Sequence, residues 1–121
     1  MPHAVIEYSG NLTYDFIEHD IDLVDIVHGL MMNSELFDLN AIKTRSICMD
    51  NWMVGEKGQD GTFVHVTVSL LTGRTVEQRQ KLSDDMIAAL GEYLPKDIID
   101  QITVEIREMD KETYRKYSPA V

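Results

Sequence analysis

The chain has 121 residues, 44% of them hydrophobic and 26% charged, the balance of an ordinary soluble globule near the modal size of one domain, expected to span 1–121. Twenty-one acidic residues against eleven basic ones give a formal net charge of −10, a poor footprint for a phosphate backbone, so nucleic acid is not an expected partner. No run approaches the roughly 20 apolar residues of a membrane span and no export signal opens the chain, so a cytoplasmic protein is expected, and its single cysteine, Cys48, excludes an internal disulfide and reads as a small buried hydrophobe.

The first predicted element is a strand over residues 3–9, "HAVIEYS", with loose alternation and a β-branched pair, closed by the turn signal Ser-Gly-Asn. Pro2 stands at its mouth, behind Met1. Proline has no ladder hydrogen to donate, so it is tolerated at a strand start; once Met1 is removed it would also be a free secondary amine, able to act as a base. From about Thr13 to Asn33, Phe16, Leu23, Val27 and Met31 recur at helical spacing while Asp15, Glu18, Asp22 and Asp25 crowd the other side, which predicts an amphipathic helix with a solvated acidic face. "AIKTRSICMDNWM" reads as a second strand of about ten residues, followed by the turn-rich "GEKGQDG".

The second half repeats this order. "TFVHVTVSLL" puts Val64, Val66, Val68 and Leu70 on one face and Phe63, His65 and Thr67 on the other, the period of a half-buried strand. After "TGR", Thr75 and Gln78 make a capping box for a helix through about Tyr93, with Leu82, Met86, Ala89, Leu90 and Tyr93 as its apolar stripe and Leu94-Pro95 as its stop. "ITVEIRE" gives a fourth strand, and the tail "DKETYRKYSPAV" a short helix or an arm. The order is β-α-β, turn, β-α-β. Each unit should be a right-handed crossover joining parallel strands, with an antiparallel join through the central turn. The fold class is therefore α+β, a four-stranded mixed sheet with two helices on one face. The other face would carry Lys43, Arg45, Phe63 and His65, too many large groups to leave in water, so a closed homo-oligomer is expected to cover it.

Pro2 in "MPHAVIEYSGNL", the strand "IKTRSICMDNW" and "FVHVTVSLLTGRTVEQRQ" resemble the tautomerase superfamily, most closely its 5-carboxymethyl-2-hydroxymuconate Δ-isomerase branch, over roughly Pro2 to Arg107. The resemblance implies a homotrimer with pockets near each Pro2 at subunit boundaries. It implies a ketonisation in which the hydroxyl proton of a small anionic dienol leaves and a proton is delivered to a distant carbon, in aromatic-compound breakdown and without metal or organic cofactor. At position 43 this chain has Lys where related isomerases often carry Arg, and "SICM" lacks the His-aromatic pair found there. Lys offers a point charge without a bidentate fork.

Such a proton shuttle needs a group that titrates near neutrality, and an α-amino group, at about 7.7–8.0, does so, lower still where burial or a nearby cation disfavours its charge. Pro2 is the candidate proton carrier, walled by Ala4, Ile6 and Phe63 in the fold the resemblance implies. An enolate-like transition state needs positive charge, for which Arg74 and Arg45 are the candidates; Lys43, Phe63 and His65 are candidates for substrate binding. Each also has a plainer reading: Arg74 as a surface charge at a helix start, Arg45 in an interface ion pair, His65 as a satisfied strand histidine. His3 would orient the terminus or simply pack, Glu7 is an interface or pocket acid, and Trp52 packs at a strand end. His19 and His28 lack useful ligand spacing, so no metal site is expected. The alternatives are a sister reaction on the same fold (phenylenolpyruvate-type tautomerisation, dehalogenation, decarboxylation) or a non-catalytic trimeric binding module.

Overall fold

In the computed structural model, which describes residues 1–13 and 23–119, four strands and two α-helices are found among the described residues. They are strand β1 (His3–Ser9), helix α1 (Leu23–Asn33), strand β2 (Lys43–Met49), strand β3 (Phe63–Leu71), helix α2 (Val76–Tyr93) and strand β4 (Gln101–Met109). The sheet order is β2-β1-β3-β4. β1 pairs with β2 and β3 with β4 in parallel, while β1 and β3 run antiparallel, so the fold is the expected mixed sheet built from two β-α-β units. The antiparallel seam joins the first strands of the two units. The strands that the central turn connects, β2 and β3, are not neighbours, and β2 and β4 become the edges.

Strand parity decides which side chains meet the helices. Ala4, Ile6, Val64, Val66, Val68 and Leu70 all point to the helical side and are fully buried. Against them α1 sets Leu23, Val27 and Met31 and α2 sets Leu82, Met86 and Leu90, the residues that helical spacing brings to one face. Thr75 Oγ1 accepts from the Gln78 amide at 3.1 Å and Gln78 Oε1 accepts from the Thr75 amide at 2.8 Å, so the capping box forms. Leu94, ahead of Pro95, is extended (ψ 127°), which ends the helix.

The antiparallel join expected through the central turn is thus not made there, and two further expectations change. β2 has seven residues because Leu39–Ala41 form a 3₁₀ turn, capped by the Asp38 carboxylate accepting from the Asn40 amide. Cys48 is exposed on the edge strand, 3.2 Å from Thr13 Oγ1, and is no core hydrophobe. The described part of the tail, to residue 119, is a turn followed by an arm, one of the two forms expected for it. Asp15, Phe16, Glu18, His19 and Asp22 lie outside the described residues. Among those described, no helix is long and apolar enough to cross a membrane.

The second sheet face carries His3, Val5, Glu7, Arg45, Ile47, Phe63, His65 and Thr67, which are half-buried or exposed, with no helix packed over them among the described residues.

Candidate active site

Pro2 is buried, and its carbonyl accepts from the Lys43 amide at 3.1 Å, extending the β1–β2 ladder by one rung. Its own nitrogen owes the sheet no hydrogen, so the ladder is complete without it. Met1 and Pro2 line a cavity of about 170 Å³ with Phe37, Asp38, Ala41, Leu71, Arg74 and Lys116. The topology explains the convergence. β3 runs antiparallel to β1 with His3 opposite Ser69, so Leu71 at its end reaches the chain start. The α1–β2 connection brings Phe37, Asp38 and Ala41 to the same end of the sheet.

Gly73, at φ 129°, turns the chain between β3 and α2 in a conformation that L side chains rarely adopt. Arg74 follows at once. Its Nη2 donates to the Leu36 carbonyl at 2.8 Å and its Nη1 to the Leu71 carbonyl at 3.3 Å, with the guanidinium 5.0 Å above the Phe37 ring. Among the described residues Arg74 forms no ion pair. Its two protein partners orient the fork without neutralising it. Beyond Arg74 and Leu71 a second hollow, of about 500 Å³, continues along Thr72, Gly73, Gln78 and Lys111.

Electrostatics at the chain start favour a neutral amine. Burial first, then the charges of Lys43, Lys116 and Arg74, lower the pKa of the Met1 amino group, and Asp38 opposes them. Without Met1 the amine would belong to Pro2, one residue deeper beneath the same cations. Lys43 itself donates to the Ala41 carbonyl at 2.8 Å.

His3 sits next door, on the other sheet face. The Arg45 guanidinium donates to its Nδ1 at 3.1 Å, so the ring proton belongs on Nε2, which donates to the Tyr114 hydroxyl at 2.9 Å. Burial, Arg45, Lys43 and the terminal amine all hold its pKa below the usual histidine value, consistent with that neutral tautomer.

The sequence-derived candidates therefore divide. Pro2 and Arg74 share the cavity, whereas Lys43 is not among its lining residues and acts on the Met1 amine through its charge. Arg45 is engaged with His3 on the open face. Phe63 and His65 lie towards the other end of β1, Phe63 about 20 Å from Pro2 at roughly 3.3 Å per residue, so within one chain neither meets Pro2. His65 Nδ1 is 2.6 Å from Thr103 Oγ1 and Nε2 is 3.9 Å from Glu105, the partners of a satisfied strand histidine. Ala4 and Ile6 are core, and the apolar walls are Phe37, Ala41 and Leu71 instead. Phe37, Asp38 and Lys116 had no local signal, because they lie in a connection and in the tail. Among the described residues no group of three His, Cys, Asp or Glu side chains is placed to hold a metal ion.

The model of the family described as 5-carboxymethyl-2-hydroxymuconate isomerase matches residues 2–120. A 5-carboxymethyl-2-hydroxymuconate Δ-isomerase of Escherichia coli is 29% identical over 87 residues, 69% of this chain and 65% of the relative, so the match spans just under two thirds of that protein's length. Among solved structures, a 5-carboxymethyl-2-hydroxymuconate isomerase from Deinococcus radiodurans R1 superposes with a TM-score of 0.82 at 20% identity, covering 98% of this chain and 90% of its own. A second structure, a 5-carboxymethyl-2-hydroxymuconate Δ-isomerase, gives 0.81 at 18% identity, with 98% and 89% covered. At these identities the superpositions speak to the fold.

Proposed function

The chain belongs to the 5-carboxymethyl-2-hydroxymuconate isomerase family of the tautomerase superfamily, and on that premise we propose that it ketonises an unsaturated enol di- or tricarboxylate of the 5-carboxymethyl-2-hydroxymuconate type. In this reading residues 1–121 act as one domain and Pro2, as the amino terminus, carries the proton. Its nitrogen lone pair takes the hydroxyl proton of the dienol, the C=O bond forms, and the diene electrons move along the conjugated chain. The resulting ammonium then returns a proton to the distal carbon, so the amine ends as it began. Arg74 faces the negative charge that develops during the transfer. The observation that carries this reading is the sharing of one small cavity by buried Pro2 and an Arg74 that, among the described residues, is held by two carbonyls and the Phe37 ring and by no carboxylate, next to a terminal amine whose protonation burial and nearby cations disfavour.

The open sheet face supports a homotrimer, in which a neighbouring subunit would also bring Phe63, His65 and Arg45 near a Pro2 that is not their own. The reaction belongs to the breakdown of aromatic compounds. Intact mass first establishes whether Met1 is removed, and processed protein is then followed spectrophotometrically on a panel of dienol dicarboxylates, phenylenolpyruvate and 3-haloacrylates. Ketonisation of the dienols, reduced on the order of a hundredfold in Pro2→Ala and lost when Met1 is retained, is expected. Activity confined to phenylenolpyruvate or haloacrylates would assign a sister reaction. Full activity with Met1 in place would make Pro2 a strand end only.

A further inference from the structure

The C-terminal arm is built into the Pro2 cavity. Beyond β4 the Asp110 carbonyl accepts from the amides of Thr113 and Tyr114 at 3.2 and 3.0 Å, and its carboxylate accepts from the Glu112 amide at 2.9 Å, which reverses the chain. Tyr114 then reaches back 111 residues to His3, the ring held by the hydrogen bond and by an edge contact at 6.1 Å between centroids. Lys111 Nζ lies 3.2 Å from where a Cβ on Gly73 would stand, so the arm passes over the β3–α2 turn where no side chain obstructs it. Held by Tyr114 on His3, with Lys111 lying over Gly73, the arm delivers Lys116 to the cavity wall.

Lys116 forms no hydrogen bond or ion pair among the described residues, although the chain holds 21 acids. Asp38, the acid of the same wall, uses its carboxylate to cap Asn40 instead. An exposed lysine that lines one cavity with Arg74 and buried Pro2, and forms no ion pair among the described residues, is a place for a carboxylate that is not part of the protein.

We propose that Lys116 is a substrate-binding residue that receives one carboxylate of the dienol opposite Arg74, and that the arm running from Asp110, latched by Tyr114 on His3, is the element that presents it. The proposal rests on the reaction assigned above to Pro2. A lysine donates a single charge-assisted contact, so its loss should weaken binding by about tenfold and leave the chemical step almost unchanged.

The test uses processed full-length protein and two readouts. In the first, Lys116→Ala should raise KM for the dienol dicarboxylate about tenfold with kcat within about twofold, Lys116→Arg should restore it, and Tyr114→Phe should raise KM by a smaller factor. The second readout is independent of turnover: alkylation of Pro2 by 3-bromopropiolate and by its neutral amide, with the adduct located by peptide mass. Lys116→Ala should raise the half-saturating concentration of the anionic reagent about tenfold and leave that of the amide unchanged. It should also move the midpoint of the pH dependence upward, because one of the three cations acting on the amine (Lys43, Lys116 and Arg74, against Asp38) is gone. Unchanged saturation by the anion in Lys116→Ala overturns the proposal, whatever the turnover. Absence of turnover on every dienol together with the expected alkylation shifts would instead overturn the assigned reaction and keep Lys116 as an anion site.

Discussion

Replacing Arg74 by alanine separates two roles that the structure superimposes. The guanidinium ties the Leu36 and Leu71 carbonyls together and lies over Phe37, so it braces the α1–β2 connection against the end of β3. Hydrogen bonds from a charged donor contribute about 1.5–3 kcal/mol each and a cation–π contact about 0.5–1 at an exposed site. Arg74 is only half-buried and water can replace part of each contact, so the lower ends apply and the 3.3 Å bond counts for less than the 2.8 Å one. A cost of about 2 kcal/mol follows, which at a urea m-value of about 2 kcal/mol/M lowers the midpoint by about 1 M. Both proteins must be compared at the same concentration, since assembly would contribute by mass action. The catalytic consequence is separate. Loss of one preformed donor to developing charge costs on the order of a hundredfold or more in kcat. Steady-state kinetics on processed Arg74→Ala, well below its unfolding midpoint, should show that fall, with Arg74→Lys intermediate because a point charge cannot bridge two carbonyls and a substrate at once. A urea midpoint lowered as expected with kcat and KM unchanged would reduce Arg74 to a brace and refute the assignment. A rise in KM alone would make it an anchor for a carboxylate.

If Pro2 carries the proton, kcat/KM should rise with pH through the pKa of its amine, since only the neutral form accepts the proton; burial and the charges of Lys43, Lys116 and Arg74 lower the pKa of the Met1 amine against Asp38, and a Pro2 amine in the same surroundings is expected to titrate below the ordinary α-amino range of about 7.7–8.0. A limb at or above that range would contradict the electrostatic reading of the cavity. Sedimentation should give about three chains, and if a site draws on more than one subunit, mixing the impaired Pro2→Ala with Arg45→Ala subunits should recover activity above that of either variant alone. A stable, fully active monomer would leave the open sheet face without its proposed cover.

How much of this was legible depends on what each sequence signal encodes. The alternation of "FVHVTVSLL" encodes the face of a strand, and Val64, Val66, Val68 and Leu70 are all fully buried as it required. The box at Thr75 and Gln78 encodes a helix start, and it forms. Parity says nothing of position along a strand. Phe63 and His65 lie on the face that parity required, but only the antiparallel pairing of β3 with β1 shows that within one chain their end of β3 lies where β1 finishes, far from Pro2. Arg74 could be singled out because a cation at a helix start is locally unfavourable and needs a reason. Lys116 could not. Its position comes from an Asp110 turn and a tyrosine that meets His3 across nearly the whole chain, and no periodicity links residues so far apart. Cys48 was misjudged because hydrophobic character was given more weight than its place on an edge strand.

The net charge of −10 and an anionic substrate are compatible because the two act over different lengths. Exposed acids distributed over the surface are screened within about 10 Å in ordinary salt, whereas groups lining a cavity act at contact distance and partly out of water. What matters locally is how the cations are held. Arg74 is bound by the Leu36 and Leu71 carbonyls and Lys43 by the Ala41 carbonyl. A carbonyl fixes direction while leaving the unit charge in place; a carboxylate in the same position would have fixed it and cancelled it. The one acid among the lining residues, Asp38, accepts from the Asn40 amide, which likewise leaves its charge in place, and that charge opposes the cations at the amine. The cations near the chain start therefore keep their unit charge, and together with burial, the largest cause, they lower the pKa of the Met1 amine against the opposing charge of Asp38.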